Sequence, residues 1–208
     1  MWLKICGITR EEDARLAAAL GADAIGLVFW RESRRRVSAE RARRIVRALP
    51  RGVAAVGVFV NETPERVNLV SSQAGLHLVQ LHGDEAAEVC RRVARPFIKA
   101  FGTGPGFDPS VLDAYPEGTT VLLDADAPSA RGGTGVTADW EVARRVAASR
   151  LTILSGGLSP ENVAAAIAYV APYGVDVSSG VEASPGVKDP DRLSRFVQAV
   201  RRAEGERG

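Results

Sequence analysis

Two side chains suited to proton transfer lie at the ends of apolar runs. Cys6 ends the run Leu3–Cys6, and Asp124 follows the run Thr120–Leu123. A thiol with a lowered pKa can act as a base or nucleophile, and a carboxyl with a pKa raised by desolvation can act as a general acid. The alternatives are a small buried apolar cysteine and a carboxylate that caps a loop. Asp126, two residues beyond Asp124, could compete for the role of acid.

Two glycine- and serine-rich segments predict a phosphate site. They are Ser155-Gly156-Gly157 and Ser178-Ser179-Gly180, and each follows a short apolar run near the end of the chain. Glycine lets a backbone approach a ligand closely, and backbone N–H groups at a helix start attract anions. Tight turns would be the alternative explanation. The pair together favours a small phosphorylated substrate.

The other polar candidates are weaker. One arginine of Arg34–Arg36 could pair with a substrate carboxylate, although a charge run is usually solvated. His82 is more often a structural residue than a catalyst, and a chain with only two histidines predicts no metal site. Asp176 lies within the last apolar run, near the end of the expected eighth strand, and Gly132–Gly135 resembles a flap that closes over a ligand.

Eight short apolar runs must position these residues, and amphipathic stretches separate them. Such continuous Val-, Ile- and Leu-rich runs are typical of parallel strands covered on both faces. Eight strand–helix units predict a compact (β/α)8 barrel with a single domain over residues 1–208, rather than a doubly wound sheet. The eight runs are Leu3–Cys6, Ala24–Phe29, Ala54–Val60, Leu76–Leu81, Phe97–Ala100, Thr120–Leu123, Leu151–Leu154 and Val175–Val177.

Capping signals predict where most of the helices begin. Thr9 followed by acidic residues reads as a capping box, and Ser38 opens a second helix. Three polar–proline pairs, at Thr63, Ser159 and Asp189, predict proline in the first helical turn. Further helices are expected near Asp84–Val93 and Asp139–Ala148, with a short one near Pro109–Ala114.

Composition excludes several function classes. The 27 Lys and Arg residues against 25 Asp and Glu give a formal charge of +2, which indicates neither a nucleic-acid partner nor an acidic membrane surface. No apolar run approaches the length of a membrane helix, and the start does not resemble a signal peptide. Two cysteines cannot form a disulfide scaffold, so a reduced, cytoplasmic protein is expected.

These segments, taken in order, resemble the phosphoribosylanthranilate isomerase family of tryptophan biosynthesis, and the likeness covers nearly the whole chain. Any one of the motifs could be chance, whereas all of them in this order are very specific. The motifs are KICGIT at 4–9, GLVF at 26–29, SRR at 33–35, VGVFVN at 56–61, VQLHG at 79–83, LLD at 122–124, GGTG at 132–135, LSGGL at 154–158, VDVSSGVE at 175–182 and PGVKD at 185–189.

The resemblance implies a cofactor-free Amadori rearrangement of N-(5-phosphoribosyl)anthranilate to 1-(2-carboxyphenylamino)-1-deoxyribulose 5-phosphate. Asp124 would be the general acid that protonates the ring oxygen, and Cys6 the general base at the ribose C2. Arg35 would pair with the anthranilate carboxylate, and Asp176 would lie close to the substrate. His82 would at most position other groups. The phosphate would bind the backbone of Gly156, Gly157, Ser179 and Gly180.

Other functions remain open at this stage. A pentose-phosphate epimerase would need a metal held by histidines and aspartates, and this chain has few such ligands. A barrel isomerase that uses two aspartates would not end its first strand in Cys6. A non-catalytic phosphosugar-binding barrel would bind ligand without turnover. Family resemblance allows either a monomer or a homodimer.

Overall fold

The chain folds into a closed barrel of eight parallel strands, as the sequence predicts. The computed structural model describes residues 1–104, 106–124 and 137–206, without the side chains of 137–139. The strands follow one another around the barrel in chain order, and β1 pairs with β8 to close it. The strands are β1 Trp2–Ile5, β2 Ala24–Val28, β3 Ala54–Phe59, β4 Leu78–Leu81, β5 Phe97–Gly102, β6 Thr120–Asp124, β7 Thr152–Ser155 and β8 Gly174–Val177.

Helices connect consecutive strands, and a short hairpin follows β8. The α-helices are α1 Glu11–Ala19, α2 Ala39–Arg47, α3 Pro64–Ala74, α4 Ala87–Cys90, α5 Thr137–Ala147, α6 Val163–Val170 and α7 Pro190–Gly205. A 3-10 helix, Pro109–Ala114, takes the place of a helix after β5, and a second, Ser179–Val181, follows β8. The hairpin pairs β9 Glu182–Ser184 with β10 Val187–Lys188. This hairpin is not among the elements predicted from the sequence.

Alternating residues of each strand form two apolar layers. Side chains that point inward fill the barrel with the cluster Ala24, Val56, Ile98, Ala100, Leu122 and Ile153. The outward set, which includes Leu3, Ile25 and Leu123, packs under the helices in the larger core. Because both faces of every strand are covered in this way, the runs are continuous rather than alternating in the sequence.

Three of the predicted helix starts are confirmed and two are wrong. Ser38, Thr63 and Asp189 accept backbone N–H groups at the starts of α2, α3 and α7. Thr9 does not cap α1: Arg10 is the N-cap residue, and the Thr9 hydroxyl donates to the carbonyl of Gly186 in the hairpin at 2.6 Å. Likewise, α6 begins only at Val163 and not at the proline that follows Ser159.

Two other helices differ from the prediction in length. The helix expected near Asp84–Val93 is a single turn, Ala87–Cys90. One reason is that the backbone before it is held by the Glu85 side chain, which accepts the N–H groups of Asn61 and Gly83. Cys90 is fully buried, as expected of a structural cysteine. The helix predicted near Asp139–Ala148 is α5.

The contribution of the Asp189 cap to the stability of α7 can be tested directly. The Asp189 carboxylate accepts the N–H groups of Asp191 and Arg192 at 3.0 and 2.9 Å. Asp189→Ala is expected to lower the free energy of unfolding by about 1 kcal/mol, since a cap of this kind contributes that amount. Urea denaturation measures the change. Asp189→Asn keeps the acceptor oxygen and should lose less, so equal losses in both variants would contradict the capping role.

Candidate active site

The carboxyl ends of all eight strands meet at one mouth of the barrel, because the strands are parallel. Cys6 follows β1, His82 follows β4, and Ser178 follows β8. Asp124 and Ser155 are the last residues of β6 and β7. The predicted site residues therefore share one end of the barrel, which is where barrel enzymes place their active sites.

Cys6 lies buried at this mouth, beside an ion pair. It forms a small apolar cluster with Val28 of β2 and Val58 of β3. Burial raises the pKa of the Cys6 thiol, the Lys4 and Lys188 ammonium groups act to lower it, and Asp176 adds to the rise. The net pKa is raised, so the expectation of a lowered thiol pKa is wrong for this protein. Desolvation outweighs the two nearby cations.

An ion pair between Lys4 and Asp176 lies inside the barrel below the thiol. The two residues are register partners across the β1–β8 junction, and the Lys4 Nζ donates to Asp176 Oδ2 at 2.6 Å. Burial by itself lowers the pKa of Lys4, but Asp176 and Cys6 outweigh this effect and raise it. The second oxygen of Asp176, Oδ1, is buried and has no hydrogen-bond partner among the described residues.

Asp124 lies across the mouth from Cys6, next to His82. Asp124 Oδ2 is 3.3 Å from His82 Nε2, and His82 Nδ1 is 2.6 Å from the amide nitrogen of Gln80. Because an amide nitrogen only donates, Nδ1 is the acceptor and Nε2 of the neutral ring carries the proton towards Asp124. His82 therefore presents an N–H group to the Asp124 carboxylate.

The two glycine-rich loops touch each other beside β7 and β8. Gly156 and Gly157 both have positive φ, 87° and 60°, in the region of backbone conformation that favours glycine. A Cβ on Gly180 would lie 2.0 Å from the carbonyl oxygen of Leu158, so the loops approach too closely for any side chain at that position. Ser179 begins the 3-10 helix next to this contact.

The loop after β7 is held by Asn162 rather than by an immediate helix. The Asn162 amide donates to the carbonyl of Gly157 at 2.9 Å and accepts the N–H of Ser159 at 2.8 Å. These two bonds shape residues 157–162 before α6 begins. Asn162 is not among the residues predicted from the sequence, although a polar residue three positions after a serine has the spacing of a capping box.

Arg35 is held at the mouth by a carboxylate that the sequence analysis did not single out. Its guanidinium makes a bidentate pair with Glu182, with Nη2 and Oε2 2.7 Å apart. Glu182 also receives a hydrogen bond from the buried Lys188. The stem of Arg35 crosses Gly7, where a Cβ would lie 2.6 Å from Arg35 Cδ. The predicted carboxylate-binding arginine and the predicted base are therefore neighbours.

A further buried ion pair, Lys99–Glu85, supports the loops on the opposite side of the mouth. Lys99 of β5 is buried, and its Nζ is 3.1 Å from Glu85 Oε2. It also donates to the carbonyl of Gly83, directly after His82. The available signal was a lysine inside an apolar strand run, which Lys4 and Lys99 both show, since a buried charge requires a partner.

Two of the features predicted from the sequence, Asp126 and the Gly132–Gly135 segment, lie outside the described residues. Among residues 1–104, 106–124 and 137–206, no group of three or more His, Cys, Asp or Glu side chains is arranged to hold a metal ion. In the same ranges, no helix has the length and apolar character needed to span a bilayer.

The fold and the residues at its mouth define a (β/α)8-barrel enzyme with a thiol, a carboxyl and fixed cations at one site. Comparisons with known proteins identify the kind of enzyme. The family model described as N-(5'phosphoribosyl)anthranilate (PRA) isomerase matches residues 3–199. An N-(5'-phosphoribosyl)anthranilate isomerase from Rubrobacter xylanophilus is 50% identical over 202 residues, which cover 96% of this chain and 98% of that protein.

Solved structures agree with the sequence match. The phosphoribosyl anthranilate isomerase of Thermotoga maritima superposes with a TM-score of 0.89 at 45% identity, covering 99% of both chains. A phosphoribosyl anthranilate isomerase in complex with reduced 1-(o-carboxyphenylamino)-1-deoxyribulose 5-phosphate gives a TM-score of 0.83 at 43% identity, again over 99% of both chains. The chain belongs to the N-(5'-phosphoribosyl)anthranilate isomerase family and is an isomerase of tryptophan biosynthesis.

The raised pKa of Cys6 leads to a first prediction for the site. Thiolate absorbance at 240 nm, taken as the difference between the wild type and Cys6→Ser, should appear only at a pH above the usual range of a free thiol, because burial disfavours the charged form. The difference spectrum removes the contribution of Cys90 and the tyrosines. A full thiolate signal at pH 7 would contradict this expectation.

The Lys4–Asp176 ion pair leads to a second prediction for the site. Lys4→Met leaves a buried carboxylate without its ammonium partner, so the free energy of unfolding should fall by about 3–5 kcal/mol. The double variant Lys4→Met/Asp176→Asn removes both charges and should recover part of that loss. Chemical denaturation of the two single variants and the double variant completes the cycle. Strictly additive losses would show that the pair is not coupled.

Proposed function

We propose that the protein converts N-(5'-phosphoribosyl)anthranilate to 1-(2-carboxyphenylamino)-1-deoxyribulose 5-phosphate, with Asp124 as general acid and Cys6 as general base. The observation that carries the proposal is that the thiol follows β1 and the carboxyl ends β6, at the same mouth. Two strands, β8 and β7, lie between β1 and β6 around the closed barrel. The two groups can therefore act on opposite sides of one sugar.

In the first step, the Asp124 carboxyl gives its proton to the ring oxygen of the ribose. The bond between C1 and that oxygen breaks, and the nitrogen lone pair forms a C=N bond, so the open-chain Schiff base results. His82, 3.3 Å from Asp124, orients the carboxyl during this transfer. No atom is gained or lost, which an isomerisation requires.

In the second step, the Cys6 thiolate removes the proton from C2. The C2–H electrons form a C1=C2 bond while the π electrons of the C=N bond return to the nitrogen, giving an enolamine. Protonation of C1 and loss of the C2 hydroxyl proton then give the ketone. A raised thiol pKa makes the thiolate scarce at neutral pH, but a thiolate of high pKa is a stronger base. Lys4 and Lys188 both favour the thiolate electrostatically, and they offset part of the cost of burial.

Binding of the substrate is assigned to the groups around this centre. Arg35 would pair with the anthranilate carboxylate, and the backbone of Gly156, Gly157, Ser179 and Gly180 would bind the phosphate. Asp176 would accept a sugar hydroxyl through Oδ1, the buried oxygen that lacks a partner among the described residues. That a relative binds a reduced product analogue carrying both a carboxylate and a phosphate supports this arrangement.

The proposal covers a monomer and a homodimer alike, since every residue to which it gives a role comes from one chain. It includes a cytoplasmic location, which two free, buried thiols favour because reduced cysteines are typical of that compartment. It invokes no cofactor, since acid, base and cationic groups of the chain account for each proton transfer.

Substitution of the two proposed groups tests the chemistry. Cys6→Ser and Asp124→Asn should each lower kcat by about 10²–10⁴-fold, the usual contribution of a positioned acid or base. Loss of substrate fluorescence measures the rate when phosphoribosylanthranilate is generated in situ by a separate transferase. Both variants should still bind the reduced product analogue within a few-fold of the wild type.

Asp126→Asn is the matched control for the acid, because it makes the same change two residues away. It should keep activity within a few-fold. If Asp126→Asn were inactive and Asp124→Asn active, the role of acid would pass to Asp126. A folded wild-type protein that binds the product analogue without turnover would instead be a phosphosugar-binding barrel.

A further inference from the structure

Arg35 is rigidly oriented by Glu182. Its Nε lies 2.9 Å from Oε1 and 3.1 Å from Oε2, and its Nη2 lies 2.7 Å from Oε2. The Arg35 side chain is 25% exposed, whereas that of Glu182 is only 4% exposed. One edge of the guanidinium, Nε and Nη2, is therefore bound to a buried carboxylate. Nη1 lies away from that edge and makes no hydrogen bond within residues 1–104, 106–124 and 137–206, so it can face a ligand.

Glu182 is in turn fixed by the hairpin to which it belongs. Its Oε1 accepts hydrogen bonds from Lys188 Nζ at 3.0 Å and from the N–H of Gly186 at 3.3 Å. Burial acts to raise the pKa of Glu182, but the bonds from Arg35 and Lys188 outweigh it and the net pKa is lowered. Glu182 is thus a buried anion whose position is determined on three sides.

Lys188 connects this carboxylate to the loop proposed to bind phosphate. Its Nζ donates to the carbonyl of Ser178 at 2.9 Å as well as to Glu182. Its backbone N–H donates to Asp13, whose charge is balanced by Arg10 at 2.6 Å. A continuous path of charged hydrogen bonds therefore runs from Arg35 through Glu182 and Lys188 to the residue before Ser179.

The charges of this path are not balanced internally. Arg35 and Lys188 contribute two positive charges, and Glu182 contributes one negative charge. Asp13 is occupied by Arg10, and the pair Lys4–Asp176 is neutral by itself. A net charge of +1 in a largely buried cluster favours a ligand with one carboxylate at Arg35, because the ligand supplies the missing anion.

We propose that Glu182 is a positioning residue that orients Arg35 for the ring carboxylate of the substrate. Lys188 fixes Glu182 and Arg35 relative to the loop proposed to bind phosphate. The inference rests on the carboxylate-binding role proposed for Arg35. The proposal makes Glu182 and Lys188 determinants of ligand selectivity, although neither needs to touch the ligand. The ligand selected has an aromatic carboxylate at one end and a phosphate at the other. Gly7 also contributes to the orientation of Arg35, because any side chain at that position would displace the Arg35 stem.

The test compares two ligands that differ only in the carboxylate. One is reduced 1-(o-carboxyphenylamino)-1-deoxyribulose 5-phosphate, and the other is the same compound without the ring carboxylate. Calorimetry gives the ratio of their dissociation constants for the wild type, Arg35→Met, Glu182→Gln and Glu182→Asp. Glu65→Gln is the matched control, because Glu65 pairs with Arg92 on the surface.

The wild type should prefer the carboxylated ligand, and Arg35→Met should remove the preference. Glu182→Gln should reduce it about tenfold, because a misdirected guanidinium no longer offers two aligned N–H groups. Glu182→Asp keeps the charge and should give an intermediate ratio, and Glu65→Gln should leave it unchanged. Unfolding curves establish that each variant is folded.

A structural role alone would weaken both ligands equally, so an unchanged ratio in folded Glu182→Gln and Glu182→Asp overturns the proposal. A raised ratio overturns it as well, since Glu182 would then be competing with the ligand for Arg35. If Arg35→Met kept the preference, the carboxylate role of Arg35 would fail and the inference with it. Intact turnover in that variant would leave the acid–base assignment standing.

Discussion

The junction between β1 and β8 is the constraint on which the site depends. These strands are the first and last of the barrel, and their register pairs Lys4 with Asp176 and Ile5 with Val177. The N–H of Cys6 donates to the carbonyl of Val177 at 2.8 Å, so the thiol is fixed relative to the loop that follows β8. Closing the barrel therefore brings together the proposed base, the ion pair beneath it and the serine–glycine loop, although about 170 residues separate them in the chain.

Three fully buried lysines, Lys4, Lys99 and Lys188, organise this end of the barrel. Each forms an ion pair with a buried carboxylate, and each pair lies beside a strand end that carries a site residue. Such pairs contribute little net stability, because desolvation of the charges offsets most of their attraction. Their value here is geometric, since a buried charge must stay where its partner is and so holds the adjacent loop in place.

Much of the fold was predictable because parallel strands and capping residues leave local signals. The eight apolar runs became eight strands with bounds shifted by one or two residues, and Ser38, Thr63 and Asp189 cap their helices. Thr9 shows why the rest was not predictable. Its sequence context matches a capping box, but its hydroxyl donates to a carbonyl of the hairpin 177 residues away in the chain, and α1 begins one residue later with Arg10 as its N-cap.

The sequence by itself determined the barrel, the mouth residues and the family, because strand periodicity and strand-end motifs are local and keep their order along the chain. Only the tertiary structure decided the direction in which the pKa of Cys6 is shifted and the surroundings of Arg35. Burial raises the thiol pKa where spacing suggested a lowered one, and Glu182 occupies one edge of the arginine. Both depend on desolvation and on contacts between distant residues, which exist only once the chain has closed on itself.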